Sequence, residues 1–135
     1  KNKIYINRSD SRHADERLIA NEREVKEFLI KNNFILVNLA DIKFSEQIDL
    51  FNNADCVVGL HGAGFANIVF CETGTKIIEL RGVNAGPVIG NLAKTNDLNY
   101  HPIIVEAKEI QKFNYPNQQG SIQIPIDRLS KILEN

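Results

Sequence analysis

Short apolar runs alternate along this chain with longer segments in which apolar residues recur at helical spacing. The runs of strand length cover residues 3–7, 34–39, 55–60, 75–80 and 100–107. The segments with helical spacing cover residues 15–31, 44–54, 63–71, 86–98 and 126–135. Strands that are apolar along their whole length are typical of a parallel sheet covered on both faces. The pattern therefore predicts an α/β domain with a doubly wound, mostly parallel sheet.

Individual residues set the expected helix boundaries. Leu18, Val25, Phe28 and Leu29 share one face of the first predicted helix. Ser45 is a candidate N-cap for the second helix, and Pro87 suits the first turn of the one over 86–98. Residues 108–125 are polar and contain proline and glycine, which predicts a long loop.

Composition limits the class of protein. The 135 residues suit one domain, 1–135, and 43% apolar content supports a globular core. A net charge of -1 argues against a nucleic-acid partner. Cys56 and Cys71 fit no zinc motif and are expected to be small buried hydrophobes.

The ends of the chain and one sequon bear on its cellular context. The chain opens inside an apparent strand without an initiator methionine, so we expect it to be a fragment of a longer protein. Asn7-Arg8-Ser9 is a glycosylation sequon, and a glycan there would obstruct a functional loop. This favours a cytoplasmic location.

A small-residue turn carries the first candidate chemistry. His61, Gly62, Ala63 and Gly64 follow the strand over 55–60 and open the next predicted helix. Ligands of open parallel sheets bind beyond the carboxyl ends of the strands. Free N–H groups and the helix dipole attract anions, the small residues leave room for a phosphate, and His61 could hydrogen-bond it.

Glu79 ends the next strand, where a carboxylate could accept hydrogen bonds from ribose hydroxyls. This resembles the logic of a dinucleotide site, which leaves a dinucleotide-dependent oxidoreductase as an alternative. Two departures speak against it: Asn67 stands where the third glycine belongs, and the turn follows the third strand. A tight turn with a hydrogen-bonded histidine, or a non-catalytic interaction domain, also stays open.

Three longer segments resemble the catalytic domain of family 61 glycosyltransferases, whose bacterial members are often labelled capsular polysaccharide biosynthesis proteins. They read NRSDSRHADERLIANEREV, FSEQIDLFNNADCVVGLHGAGFANIVF and KIIEL. The matching residues are Arg8, Arg12, Asn21, Glu22, Glu46, Gln47, His61, Gly62, Ala63, Gly64, Asn67 and Glu79. The likeness covers roughly residues 4 to 80 and is loose beyond residue 85.

The resemblance implies an inverting GT-B enzyme with two Rossmann-like halves. This chain would be the carboxyl-terminal half, which binds a nucleotide-sugar donor, commonly a UDP-sugar. The partners implied are that donor, a glycan acceptor and the missing amino-terminal half, with peripheral membrane association possible for the full-length protein. No cofactor or metal is expected, since GT-B enzymes generally stabilise the departing diphosphate with protein groups.

The family match suggests roles for individual residues. Arg8 and Arg12 are assigned to the diphosphate, because guanidinium groups offer bidentate donors to phosphate. A solvated helix face is the alternative for both arginines. The catalytic base is expected from the amino-terminal half, with His61 a candidate only if its ring faces the acceptor.

The roles of the remaining matched residues stay open. Asn21 and Glu22 either orient the arginines or start a helix. Glu46 and Gln47 either cap a helix or contact ligand, and Asn67 either turns towards the site or bonds the backbone.

Overall fold

The computed structural model describes residues 1–7, 17–106 and 120–135. Its strands are β1 (Asn2–Ile6), β2 (Arg17–Ile19), β3 (Phe34–Val37), β4 (Ala54–Leu60), β5 (Lys76–Gly82), β6 (Asn99–Val105) and β7 (Gly120–Ile122). Its α-helices are α1 (Glu22–Lys31), α2 (Phe44–Asn52), α3 (Val88–Thr95) and α4 (Ile126–Glu134). Two 3₁₀ helices cover Leu39–Asp41 and Ala63–Phe70.

Five strands form the main sheet, in the spatial order β3-β1-β4-β5-β6. Every neighbouring pair in it is parallel. Strand residues alternate between the two faces, and the apolar strands supply both faces with side chains that the helices cover. The predicted mixed α/β fold with a parallel sheet flanked by helices is therefore confirmed.

Each face of the sheet has its own apolar core. On one face, side chains from the sheet pack with α1, α4, β2 and β7, and Val25, Leu29 and Leu129 are fully buried. On the other face, Phe51, Phe65 and Ile68 are buried beneath α2, α3 and the second 3₁₀ helix. The two free cysteines are buried, as expected, and they lie on opposite faces of the sheet. Burial raises the pKa of each thiol to about 12.

The first predicted helix begins later than the pattern indicated. Leu18 lies in β2, which pairs in parallel with β7 through partners such as Leu18 and Ser121. The prediction of one helix from residue 15 was wrong because the seven-residue interval from Leu18 to Val25 also suits a helix face. The residues of β7 fell inside the predicted long loop, 108–125, of which 108–119 lie outside the described residues.

Two further boundaries differ from expectation. Helix α2 begins at Phe44 with Lys43 at its N-cap, so Ser45 lies inside the helix. The cap is closed by Glu46, whose Oε1 accepts from the Lys43 N–H at 3.3 Å. Pro87 occupies the N-cap of α3 and not its first turn.

Asn21 joins the small two-stranded sheet to the first helix. Its Nδ2 donates to the Ile124 carbonyl at 2.8 Å and to Glu24 Oε1 at 2.9 Å, while its Oδ1 accepts from the Ile124 N–H at 2.9 Å. Glu22 pairs with Lys26 on the helix surface at 2.7 Å. These contacts favour the second interpretation of Asn21 and Glu22, the start of a helix.

No helix within residues 1–7, 17–106 and 120–135 is both long and apolar enough to cross a bilayer.

Gly59 is required where the second 3₁₀ helix approaches the sheet. A Cβ on Gly59 would lie 3.2 Å from Phe65 Cε2 and 3.3 Å from Ile6 Cβ. We predict that Gly59→Ala lowers the free energy of unfolding by about 1–3 kcal/mol through overpacking, as measured by urea denaturation.

Gly86→Ala is the matched control for that substitution. A Cβ there would meet no atom within 4 Å, so its effect should stay within about 0.5 kcal/mol. Equal free energies of unfolding for the two variants would contradict the prediction, because Phe65 and Ile6 would then accommodate the added Cβ without a loss of stability.

Candidate functional site

The order of the strands places a switch point between β1 and β4. From β1 the chain crosses to β3 on one side, and then returns to build β4, β5 and β6 on the other side. In open α/β sheets the connections on the two sides of such a point diverge, and a crevice forms beyond the carboxyl ends of the two strands. Ile6 pairs with Gly59 there, so Asn7 and His61, which follow β1 and β4, flank this switch-point crevice.

The turn after β4 leads directly into a 3₁₀ helix. Gly62 is extended, with φ 163° and ψ 178°, and the first helical hydrogen bond runs from the Phe65 N–H to the Gly62 carbonyl at 3.1 Å. The Ala63 and Gly64 N–H groups precede that bond, and in the described part of the chain neither has a backbone acceptor. Two donors therefore lie at the edge of the crevice, at the start of the predicted short helix, which is a 3₁₀ helix.

Gly64 serves close packing in addition to any role in binding. A Cβ there would lie 3.3 Å from both Ile6 Cγ2 and Leu39 Cδ1. The position therefore needs a glycine so that the 3₁₀ helix can lie against β1. Room for a phosphate was the sequence argument for this glycine, whereas the contacts show a packing requirement.

His61 extends β4 by one step. Its N–H donates to the Leu80 carbonyl at 2.9 Å, so its side chain projects on the same face as Gly59. The Nδ1 atom lies 2.5 Å from Glu79 Oε2. Only 12% of the side chain is exposed. The predicted histidine is thus held between two strands at the edge of the crevice.

Glu79 is completely buried in the middle of the sheet. Its Oε2 lies 2.5 Å from His61 Nδ1, and its Oε1 accepts from the hydroxyl of Tyr100 on β6. A buried carboxylate requires such partners, because the cost of removing the charge from water is otherwise too large. With no exposed surface, Glu79 does not reach a ribose in this conformation, and the geometry favours a role behind His61.

The phenol of Tyr100 on β6 has a raised pKa. Burial raises the pKa of its phenol to about 12, and the hydrogen bond to the Glu79 carboxylate and the charge of that group act in the same direction. The Arg81 guanidinium lowers the pKa by a smaller amount. Arg81 also donates to the carbonyls of Gly82 and Ala85, which fixes the loop after β5.

Asn67 and Gln47 form a structural hydrogen-bond chain. Asn67 Nδ2 donates to Gln47 Oε1 at 2.8 Å, and Gln47 Nε2 donates to the Leu39 carbonyl at 2.9 Å and the Ile42 carbonyl at 3.3 Å. The chain ties the second 3₁₀ helix to α2 and to the first 3₁₀ helix. Of the interpretations left open, these contacts favour fixing the backbone over contacting a ligand.

The predicted residues are thus partly brought together. His61, Gly62, the Ala63 backbone and Gly64 lie at the crevice, and Glu79 lies behind His61. Arg8 and Arg12 fall outside the described residues, so their assignment to a diphosphate stays a prediction.

Sequence reasoning missed Tyr100 and Arg81. The odd-numbered residues of β5 share a face, so Glu79 and Arg81 project together. The register places Tyr100 opposite Ile77, two pairs from Glu79 and on the same face. An acidic residue within the apolar run KIIEL was the available signal, because such a residue needs polar neighbours.

Fold and site together define an α/β domain with a polar turn at the switch point of a parallel sheet. The model of the family described as Glycosyltransferase 61 matches residues 1–78. The chain belongs to this family, and the predicted resemblance is confirmed. The match ends one residue before Glu79, so Glu79 and Tyr100 lie beyond it.

Three relatives carry transferase names. The chain is 26% identical to beta-1,2-xylosyltransferase RCN11 of Oryza sativa subsp. japonica, over 98% of this chain and 26% of that protein. It is 28% identical to the EGF domain-specific O-linked N-acetylglucosamine transferase of Gallus gallus, over 67% of this chain and 18% of that protein. It is 38% identical to protein O-linked-mannose beta-1,4-N-acetylglucosaminyltransferase 2 of Xenopus laevis, over 47% of this chain and 12% of that protein. The chain thus spans about a quarter or less of each relative.

The Tyr100 pKa predicts a stability difference at alkaline pH. The folded protein holds the phenolic proton up to about pH 12, whereas the unfolded chain releases it near the ordinary value of about 10. The stabilisation is therefore fully present below pH 10 and is lost as the pH rises towards 12. We predict that the difference in unfolding free energy between wild type and Tyr100→Phe shrinks over this interval, as measured by urea denaturation.

Thr75→Val provides the control for this pH series. Thr75 also carries a hydroxyl group, but it is buried, lies just before β5 and donates to the Glu72 and Ala54 carbonyls. Its difference from wild type should not change between pH 10 and 12. A constant difference for Tyr100→Phe as well would contradict the raised pKa.

Proposed function

We propose that this domain binds the nucleotide-sugar donor of an inverting glycosyltransferase, with the diphosphate at the switch-point crevice. The observation that carries the proposal is the turn after β4, where the Ala63 and Gly64 N–H groups and His61 lie together. Family membership supports the reaction class, since the relatives are named as glycosyltransferases.

The turn supplies donors suited to an anion. Backbone N–H groups at a helix start bind phosphate oxygens, and the dipole of the helix adds a favourable field. With Nδ1–H bonded to Glu79, a protonated His61 ring would also donate from Nε2. The buried Glu79 carboxylate would balance the positive charge of that ring.

The arginines complete the proposed diphosphate site. Arg8 follows β1 directly after Asn7, and the carboxyl end of β1 borders the switch-point crevice. Arg8 and Arg12 would bring fixed positive charge to the departing diphosphate, whose negative charge grows as the sugar leaves. Preorganised donors aimed at developing charge supply several kcal/mol in comparable sites, about 3–4 kcal/mol for a single donor.

The remainder of the proposal follows the family. The domain is the Rossmann-like carboxyl-terminal half of a GT-B enzyme that builds polysaccharide, its donor is a UDP-sugar, and the other half contributes the base that deprotonates the glycan acceptor. The relatives' names include both xylosyl and N-acetylglucosaminyl transfer, so the sugar is not fixed by family membership. Glu79 acts behind His61 in this scheme and does not bind the ribose.

Nucleotide titration tests the proposal. We expect the protein to bind UDP without added magnesium in isothermal titration calorimetry. Arg8→Ala and His61→Ala should each weaken binding by about 1–3 kcal/mol, the scale of a lost charge-assisted hydrogen bond.

The control substitution is Arg128→Ala. Arg128 is exposed on α4, which packs on the face of the sheet opposite the second 3₁₀ helix, so its loss should leave UDP affinity unchanged. Absence of nucleotide binding by the folded protein would contradict the proposal. Tighter binding of NAD than of UDP would favour the oxidoreductase alternative instead.

A further inference from the structure

Three adjacent strands each contribute one polar side chain to a buried chain of hydrogen bonds. His61 follows β4, Glu79 lies on β5 and Tyr100 on β6, and all three project towards the face covered by the second 3₁₀ helix and α3. The surrounding strand residues on this face, such as Val57 and Ile77, are fully buried and apolar. Polar groups in such surroundings require a specific reason.

We propose that Glu79 and Tyr100 are positioning residues that hold the His61 ring in its Nδ1–H tautomer at the edge of the switch-point crevice. This proposal rests on the proposed function, because the tautomer of His61 matters for catalysis only if the ring contacts the donor or the acceptor. It concerns the state of the ring itself, which can be measured without any substrate.

The argument begins with the chemistry of the carboxylate. An ionised carboxylate only accepts hydrogen bonds, so a hydrogen bond between Glu79 Oε2 and His61 Nδ1 requires the proton on Nδ1. In the neutral ring the lone pair then belongs to Nε2. A carboxylate that orients a histidine in this way is found behind the catalytic histidine of serine proteases.

Tyr100 completes the arrangement from the other side of Glu79. Its hydroxyl donates to Oε1, so both carboxylate oxygens are engaged and the carboxylate plane is fixed. Loss of that donor would leave a fully buried charge with one partner fewer, which favours either rotation of the carboxylate or its protonation. A protonated Glu79 would donate to Nδ1 and thereby move the histidine proton to Nε2.

The backbone of α3 holds Tyr100 in place. A Cβ on Gly90 would lie 3.0 Å from Tyr100 Cε2 and 3.2 Å from Cζ, so the helix packs directly against the phenol ring. The ring therefore cannot move towards α3, and its hydroxyl stays directed at Glu79. This contact links α3, through Tyr100 and Glu79, to the orientation of the His61 side chain that follows β4.

The consequence for ligand binding follows from the tautomer. A neutral His61 in this state offers Nε2 as an acceptor, suited to a hydroxyl proton of a sugar. When protonated, the same ring offers Nε2–H to an anion such as a diphosphate. The opposite tautomer could not accept a proton at the crevice at all.

The experiment measures the ring nitrogens directly. Long-range ¹H–¹⁵N correlation spectra report the tautomer of each histidine, and the chain contains only 3 of them. His61→Ala assigns the signal. We expect wild-type His61 to show the Nδ1–H pattern.

Glu79→Gln is the principal variant. The amide keeps the size of the side chain but can donate to Nδ1, so the ring should shift to the Nε2–H tautomer, and UDP affinity should fall at least about tenfold. Tyr100→Phe keeps the ring packed on Gly90 and should shift the tautomer only partly, with a smaller loss of affinity. Thr75→Val removes a buried hydroxyl outside this chain of hydrogen bonds and should change neither the tautomer nor the UDP affinity.

The outcomes separate this inference from the proposed function. A wild-type ring in the Nε2–H tautomer, or a ring that Glu79→Gln leaves unchanged, overturns the inference whether or not UDP binds. Absence of UDP binding together with the expected tautomers overturns the proposed function and supports the positioning of the ring. Thermal unfolding of each variant confirms that the spectra come from folded protein.

Discussion

The burial of one carboxylate organises the carboxyl edge of this sheet. Glu79 has no exposed surface, and a charge in that position is tolerated only with donors on both oxygens. His61 and Tyr100 provide them from the strands on either side. The turn after β4 therefore begins from a histidine whose position is set by the interior of the domain, so the adjacent N–H groups are held at a fixed place beside the crevice.

Glycines explain how the second 3₁₀ helix can lie so close to that edge. Gly59 and Gly64 each leave space that a Cβ would fill, against Phe65, Ile6 or Leu39. The Asn67–Gln47 hydrogen bond then fixes the same helix from its outer side. Several of the family-matched residues thus shape the turn, and among the described groups the proposed ligand contacts come from His61 and the turn amides.

Much of the fold was predictable because its strands are apolar on both faces and of ordinary length. The early start of α1 was wrong because Leu18 and Val25 keep helical spacing, and β7 was missed because a three-residue strand in a polar segment gives almost no periodic signal. The turn was found from its small residues. Its partners were harder, since a glutamate in KIIEL shows that a polar contact exists, but only the strand register identifies His61 and Tyr100.

The pairing of β2 with β7 has a consequence for how the domain is made. Asn21 and Ile124, which flank these strands, are 103 positions apart, so this contact closes a loop that spans most of the chain. Closing so long a loop is entropically costly until the intervening sheet has formed. Ile19, Val25 and Leu29 share an apolar cluster with Ile122, Ile124 and Leu129, so during synthesis they would lack these contacts until β7 and α4 have left the ribosome.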